Sequence, residues 1–199
     1  MKRLLFIIAS ILLMSITASA QEVQIRLDEA LSSYKSEDLE NARFSLQEAL
    51  IGINEAVGQE ILSVFPAEMN GMNKVDENDE VTGMNVGFAG LLVHRSYIGE
   101  EGEASIDLIS DSPMLAGINT ILAMPGFMTS DPNQKRVKVS NYKALLTRNE
   151  DDTGKVSYDL QVPLNSSLLA FQCSGIEDEN EVLDLAELIP VKRIVEILE

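Results

Sequence analysis

The sequence predicts an α+β protein: an N-terminal helical hairpin followed by an antiparallel sheet of about five strands with helices packed on one face. Three observations lead there. Apolar residues recur at three- and four-residue spacing through residues 22–62, the period of helices. From Val86 the period changes to two, the signature of half-buried strands. Most of the strands are joined by short turns rather than helical crossovers, which favours antiparallel pairing.

A leader precedes the hairpin. Lys2 and Arg3 form a basic head, residues 4–16 an apolar run broken by Ser10 and Ser15, and Ala18-Ser19-Ala20 a small-residue cleavage site. That is the pattern of a secretory signal peptide, with the mature chain beginning at Gln21. A membrane helix needs about 20 apolar residues, so the run reads as a cleaved leader rather than an anchor. No cysteine follows it to take a lipid. The expected organisation is a signal peptide at 1–20, a helical hairpin at 21–66, an acidic linker at 67–85 and an α+β domain at 86–199.

The first helix, residues 22–34, carries Val23, Ile25, Leu27, Ala30, Leu31 and Tyr34. Lys35-Ser36-Glu37-Asp38 is a polar break, with Ser36 as expected N-cap and two acids at the positive end of the next helix. The second helix carries Leu39, Ala42, Leu46, Ala49, Leu50, Ile53, Val57, Ile61 and Leu62, and Pro66 ends it. Gly52 and Gly58 suit close packing. In 67–85, Met69-Asn70-Gly71-Met72-Asn73 is turn-rich and Asp76 to Glu80 is acidic. Counted from Asp76, the glycine that an EF-hand calcium loop needs at its sixth position is Val81, so that motif fails.

In the α+β region, residues 86–97 and 104–108 predict a strand hairpin. Ser112 and Pro113 predict the cap and first residue of a helix over 113–124. That helix is apolar nearly all round, which predicts that it is well covered. Residues 136–148 predict one strand. Val156, Tyr158, Leu160 and Val162 predict an amphipathic strand ending at Pro163, and residues 167–174 a last strand. Helices are expected over 178–188 and, after Pro190, over 191–198.

The residues of the hairpin resemble a single tetratricopeptide repeat. Ala30 and Tyr34 match its first helix, Asp38-Leu39 its turn, and Ala42, Leu46 and Ala49 its second helix. The resemblance spans about 30 residues and occurs once. Asn54 stands where the motif often has proline. The resemblance implies that the hairpin packs on something else, because one repeat cannot cover its own apolar face. The whole chain resembles uncharacterised secreted bacterial proteins of the cell envelope, and the C-terminal region loosely resembles PsbP-like domains in element order alone. Neither resemblance carries a catalytic residue.

Composition narrows the functions. The net charge is −17, and loss of Lys2 and Arg3 with the leader makes it more negative. Such a chain repels nucleic acid and anionic lipid. With Cys173 alone, no intramolecular disulfide can form. The alternation Leu169, Phe171, Cys173 places that thiol in the core. His94 is the single histidine. No nucleophile elbow, phosphate loop or dinucleotide fingerprint accompanies it, and no metal-ligand spacing. Asp107, Asp111 and Asp159 are the carboxylates from which a glycoside-hydrolysing pair would have to come.

The expected function is therefore that of a secreted or periplasmic, non-enzymatic interaction or scaffolding protein of the bacterial cell envelope. It uses no cofactor or metal, meets a protein partner, binds no nucleic acid and does not stay inserted in a membrane. A binder of a small apolar ligand beneath the 113–124 helix is the alternative, and a hydrolase a third. The expected contact residues are Phe127 and Met128, an aromatic–thioether pair in a loop, with Lys135, Arg136 and Tyr34. Mass spectrometry of exported protein should find Gln21 at the mature N-terminus; an intact 1–20 segment would overturn secretion.

Overall fold

The computed structural model describes residues 20–84, 90–100, 102–124 and 132–199. The chain divides into two compact units, residues 1–56 and 57–199.

In the first unit, α1 (20–35) and the part of α2 (Leu39–Val64) up to Ala56 form the expected hairpin. Their shared seam is made of small residues: Ala30, Ala42, Ser45 and Ala49 are buried. At Gly52 a Cβ would stand 2.7 Å from Val23 Cγ2, so the helices meet more closely there than a side chain permits. The cap of α2 is Asp38 rather than Ser36. Asp38 Oδ1 accepts from the Asn41 backbone N–H at 3.2 Å, and its carbonyl accepts the first helical bond from Ala42. The Ser36 hydroxyl instead donates back to Ser33 O. Glu37 takes φ +63° to make the tight exit from α1, which leaves the following residue to cap.

The second unit is a nine-stranded antiparallel sheet with helices, larger than the five strands expected. Its strands are β1 (Glu68–Met69), β2 (Met72–Lys74), β3 (Glu80–Gly83), β4 (Leu91–Ile98), β5 (Glu103–Ser110), β6 (Gln134–Val139), β7 (Tyr142–Glu150), β8 (Val156–Leu164) and β9 (Ser167–Ser174). Spatial order is β1-β2-β4-β5-β9-β8-β7-β6, and β3 pairs with the N-terminal half of β4 beyond β2.

Two differences account for the extra strands. The described part of the expected acidic linker is folded: β1 and β2 turn at Asn70-Gly71, both with positive φ, and a 3-10 turn at Asp76–Asn78 leads to β3. The expected strand over 136–148 is two, β6 and β7, joined at Ser140-Asn141 with φ +49° and +73°. Two such residues make the tight turn whose twist suits a hairpin. Pro163 does not end β8; it pairs with Leu168 next to a turn at Asn165-Ser166.

Alternation divides the sheet into two faces. Val93, Ile106, Leu108, Leu146, Leu160, Phe171 and Cys173 fall on one, buried with Ile61 and Leu62 of α2, Phe65 just after it, Val182 and Leu185 of α4 (Glu179–Glu187) and Ile194 of α5 (Val191–Leu198). Close approach is again bought with glycine: a Cβ on Gly58 would stand 2.5 Å from Val81 and 2.7 Å from Leu91. Cys173 is 2% exposed, and burial pushes its thiol up to about 11, the placement expected from its sequence.

The helices do not all lie on one face. α3 (Leu115–Ala123) packs Ile118 and Leu122 on Leu145 and Leu168, which point away from the main core. The expectation that this apolar helix is well covered fails among the described residues. It buries one stripe, and Met114 and Met124 are about half exposed. Ser112 accepts from the Met114 N–H at 3.3 Å, and the helix proper starts two residues after Pro113.

One buried ion pair closes the core. Arg95 of β4 grips Asp79 with two bonds, Nε to Oδ1 at 2.8 Å and Nη2 to Oδ2 at 2.5 Å. Its Nη1 donates to Phe65 O at 3.2 Å, and Tyr97 Oη donates to Pro66 O at 2.9 Å. Removing one partner of such a pair strands a charge in the interior. Asp79→Ala should cost about 3 kcal/mol in urea unfolding, and Asp79→Leu with Arg95→Met should recover most of it. Equal stability of Asp79→Ala and the parent would show that the pair does not hold the edge.

Candidate functional site

Six neighbouring strands present polar side chains on the face away from the core. The register builds this face in rows. One row runs Glu80, His94, Asp107, Ala170, Gln161 from β3 to β8. The next runs Ser96, Ser105, Gln172, Asp159, Thr147 from β4 to β7, and the third Ile98, Glu103, Ser174, Ser157, Asn149. Alternation produces this: in the middle of the strands, as at Asp107 and Asp159, each polar residue sits between two core residues.

The last two rows line an open hollow of about 420 Å³, with Asn78 at its side. Asn78 Nδ2 donates to Ser96 Oγ at 2.9 Å. At the rim, Glu103 accepts from Lys155 Nζ at 3.0 Å and from Ser174 Oγ at 2.9 Å, and these partners hold its carboxyl below its ordinary range. Deeper in, Asp159 has no cationic partner among the described residues. Its Oδ2 accepts from Gln161 Nε2 at 3.1 Å, and its buried Oδ1 has no hydrogen bond among the described residues. Burial first, and the like charge of Asp107 in addition, push the Asp159 carboxyl up.

In the adjoining row His94 Nδ1 lies 2.7 Å from Asp107 Oδ1, both side chains about a quarter exposed. The carboxylate fixes the ring's orientation. No serine hydroxyl bonds the imidazole among the described residues. Cys173 belongs to the opposite, buried face. Asp107 and Asp159 share the outer face two strands apart, whereas Asp111 follows β5 at φ +52°. Among the described residues no group of three His, Cys, Asp or Glu side chains is placed to hold a metal ion.

Of the contact residues expected from sequence, the structure describes Tyr34, Lys135 and Arg136. Phe127 and Met128 lie outside the described residues. Lys135 and Arg136 are consecutive on β6 and point to opposite faces. Lys135 pairs with Glu179 of α4. Arg136 Nη2 donates to Ile121 O at 2.9 Å and to Met124 O, closing the C-terminal end of α3. Tyr34 is 67% exposed in the other unit. A second hollow of about 290 Å³ adjoins α3, lined by Leu122, Val137, Arg136, Lys138 and Lys143. It carries three cations where the apolar-ligand expectation called for an enclosed apolar void. Sequence reasoning missed Ser96, Ser105, Ser157 and Gln172, although each occupies the wet phase of an alternating strand.

No family model matches the chain, and no curated protein matches it. Among solved structures it is similar to the extracellular domain of PknH from Mycobacterium tuberculosis. That match has 10% identity and a TM-score of 0.40, over 75% of this chain and 94% of that one. So slight a likeness carries no argument about function.

The Asp159 carboxyl gives a signed pH dependence. An acid whose folded-state pKa is raised loses its proton first in the unfolded chain, so it disfavours folding as pH rises from the ordinary carboxylate range. Asp159→Asn should therefore raise the urea midpoint at neutral pH, with a gain that shrinks toward acid pH. A variant less stable than the parent at neutral pH would show that the carboxylate is well paired.

Proposed function

We propose that this chain is a secreted or periplasmic interaction protein of the bacterial cell envelope whose helical hairpin docks a protein partner. One observation carries the reading. Leu27, Leu31 and Tyr34 of α1 and Leu39, Leu46, Leu50 and Ile53 of α2 are all exposed, from 38% to 67%.

Helical spacing turns these residues into a surface. Leu27, Leu31 and Tyr34 follow at four and three residues, and Leu46, Leu50 and Ile53 do the same. Each stripe is offset by roughly a quarter turn from the buried alanine seam of its helix, in the same rotational sense. In an antiparallel pair that sense brings both stripes to one side. The hairpin therefore spends its small residues on its own seam and leaves its large ones uncovered. Soluble proteins seldom expose so continuous an apolar patch unless something covers it.

Further support comes from the leader of the sequence and from its strongly acidic composition. No helix among the described residues is long and apolar enough to cross a membrane. The hollow beside α3 gives the apolar-ligand alternative no comparable support.

Photo-cross-linking from position 50 in cells expressing the full chain should give a discrete adduct with an envelope protein. The same probe at Glu37, on the polar turn, should not. Leu46→Glu with Ile53→Glu should abolish the adduct and leave the thermal midpoint within a few degrees, because neither side chain is buried. No adduct from position 50, or one that survives both glutamates, would defeat the proposal.

A further inference from the structure

The polar hollow on the outer face of the sheet lies wholly within the second unit and is independent of the hairpin. Its volume, about 420 Å³, falls in the range of small-ligand sites, roughly 300–1,000 Å³. Its lining sorts the ligands that could enter. Ser96, Ser105, Ser157 and Gln172 offer hydroxyl and amide groups, which serve as acceptors or donors. The charged groups are carboxylates: Glu103 at the rim, already neutralised by Lys155, and Asp159 within. An anionic ligand would meet Asp159, with Asp107 and its partner His94 in the adjoining row, on a chain of net charge −17.

Asp159 is the unusual member. It is half-buried, its neighbour Asp107 has the same charge, and its buried Oδ1 has no partner among the described residues. A desolvated carboxylate is costly unless a cation or several donors compensate it. Gln161 supplies one neutral donor. The charge is shared by both carboxyl oxygens, so a cation that reaches Asp159 from the hollow it lines compensates the buried oxygen as well. The missing counter-charge is the feature that a ligand would supply. With no three-ligand metal arrangement among the described residues, that cation is one recognised through N–H donors.

We propose that this hollow binds a small organic cation bearing ammonium groups, held by Asp159 through a charge-assisted hydrogen bond and by the surrounding serine and glutamine side chains. Such bonds are about twice as strong as neutral ones. A neutral polyol would match the hydroxyls and leave the carboxylate uncompensated.

The test is an NMR titration of the full mature chain with spermidine, tetramethylammonium and glucose. Spermidine should shift the amides of Ser105, Ser157 and Gln172. Tetramethylammonium, a cation without N–H groups, and glucose should leave them in place. Asp159→Asn should weaken spermidine about tenfold or more, the loss expected for one charged hydrogen bond, and its thermal midpoint at or above the parent's would show that the fold is kept. Glu37→Gln removes the same charge from the first unit and should leave the affinity unchanged. Glucose binding in place of spermidine would overturn the proposal in favour of a polyol. Equal weakening by both variants, or shifts spread over the whole acidic surface, would overturn it in favour of diffuse charge attraction.

Discussion

The Arg95 guanidinium is the constraint around which the second unit is organised. It sits on β4, the strand that receives β2 and β3 along one side and β5 along the other. Through Asp79 it fixes the turn that delivers β3, and through Phe65 O it fixes the end of α2. Tyr97, two residues along the same strand, ties down Pro66. Three segments distant in sequence therefore share one buried charge. Such a pair contributes less to net stability than its short bonds suggest, because both charges were solvated in the unfolded chain. What it contributes is uniqueness: a slipped β3 would strand a cation in an aliphatic core that contains no tryptophan.

The sequence made the long elements legible and the short ones not. The helices of the hairpin, β5, β8, β9, α4 and α5 all follow apolar periodicities long enough to recognise. Cys173 was placed in the core by two neighbours at the right phase. β1, β2 and β3 escaped because strands of two to four residues have too few positions to show a period, and they sit among asparagines and acids. β6 and β7 merged because Ser140-Asn141 lacks the glycine that usually marks a two-residue turn. The nearly uniform apolar composition of α3 hides its phase, so the single buried stripe of Ile118 and Leu122 does not show in the sequence. The polar rows of the outer face were visible in principle as every second residue. Their convergence was not, since strand order brings β5 beside β9 across more than 50 residues of chain.

The hairpin's apolar face and the sheet's polar hollow follow different physical logics. On the hairpin, large apolar side chains are left in water while the seam is filled with alanine and serine; desolvation of that face would favour association. On the sheet, a carboxylate is withdrawn from water without a counter-charge, so occupancy by a cation would relieve a local penalty. Neither feature strengthens the isolated chain. Both are places where local stability is held below what the same backbone could reach with a different side chain.

The outermost strand has a last consequence. Among the described residues β6 pairs with β7 alone, leaving its other row of backbone donors and acceptors without a neighbouring strand. Such a row invites a strand from another molecule. Its sequence, Gln-Lys-Arg-Val-Lys-Val, carries Lys135, Arg136 and Lys138, and Lys138 stands directly across from Lys143. Two copies meeting along this border would bring together like charges from both, on a protein whose positive groups are few. Lys135 is paired with Glu179, so the uncompensated charge on this border is that of Lys138 beside Lys143, and replacing Lys138 with threonine would remove the repulsion that opposes edge-to-edge stacking.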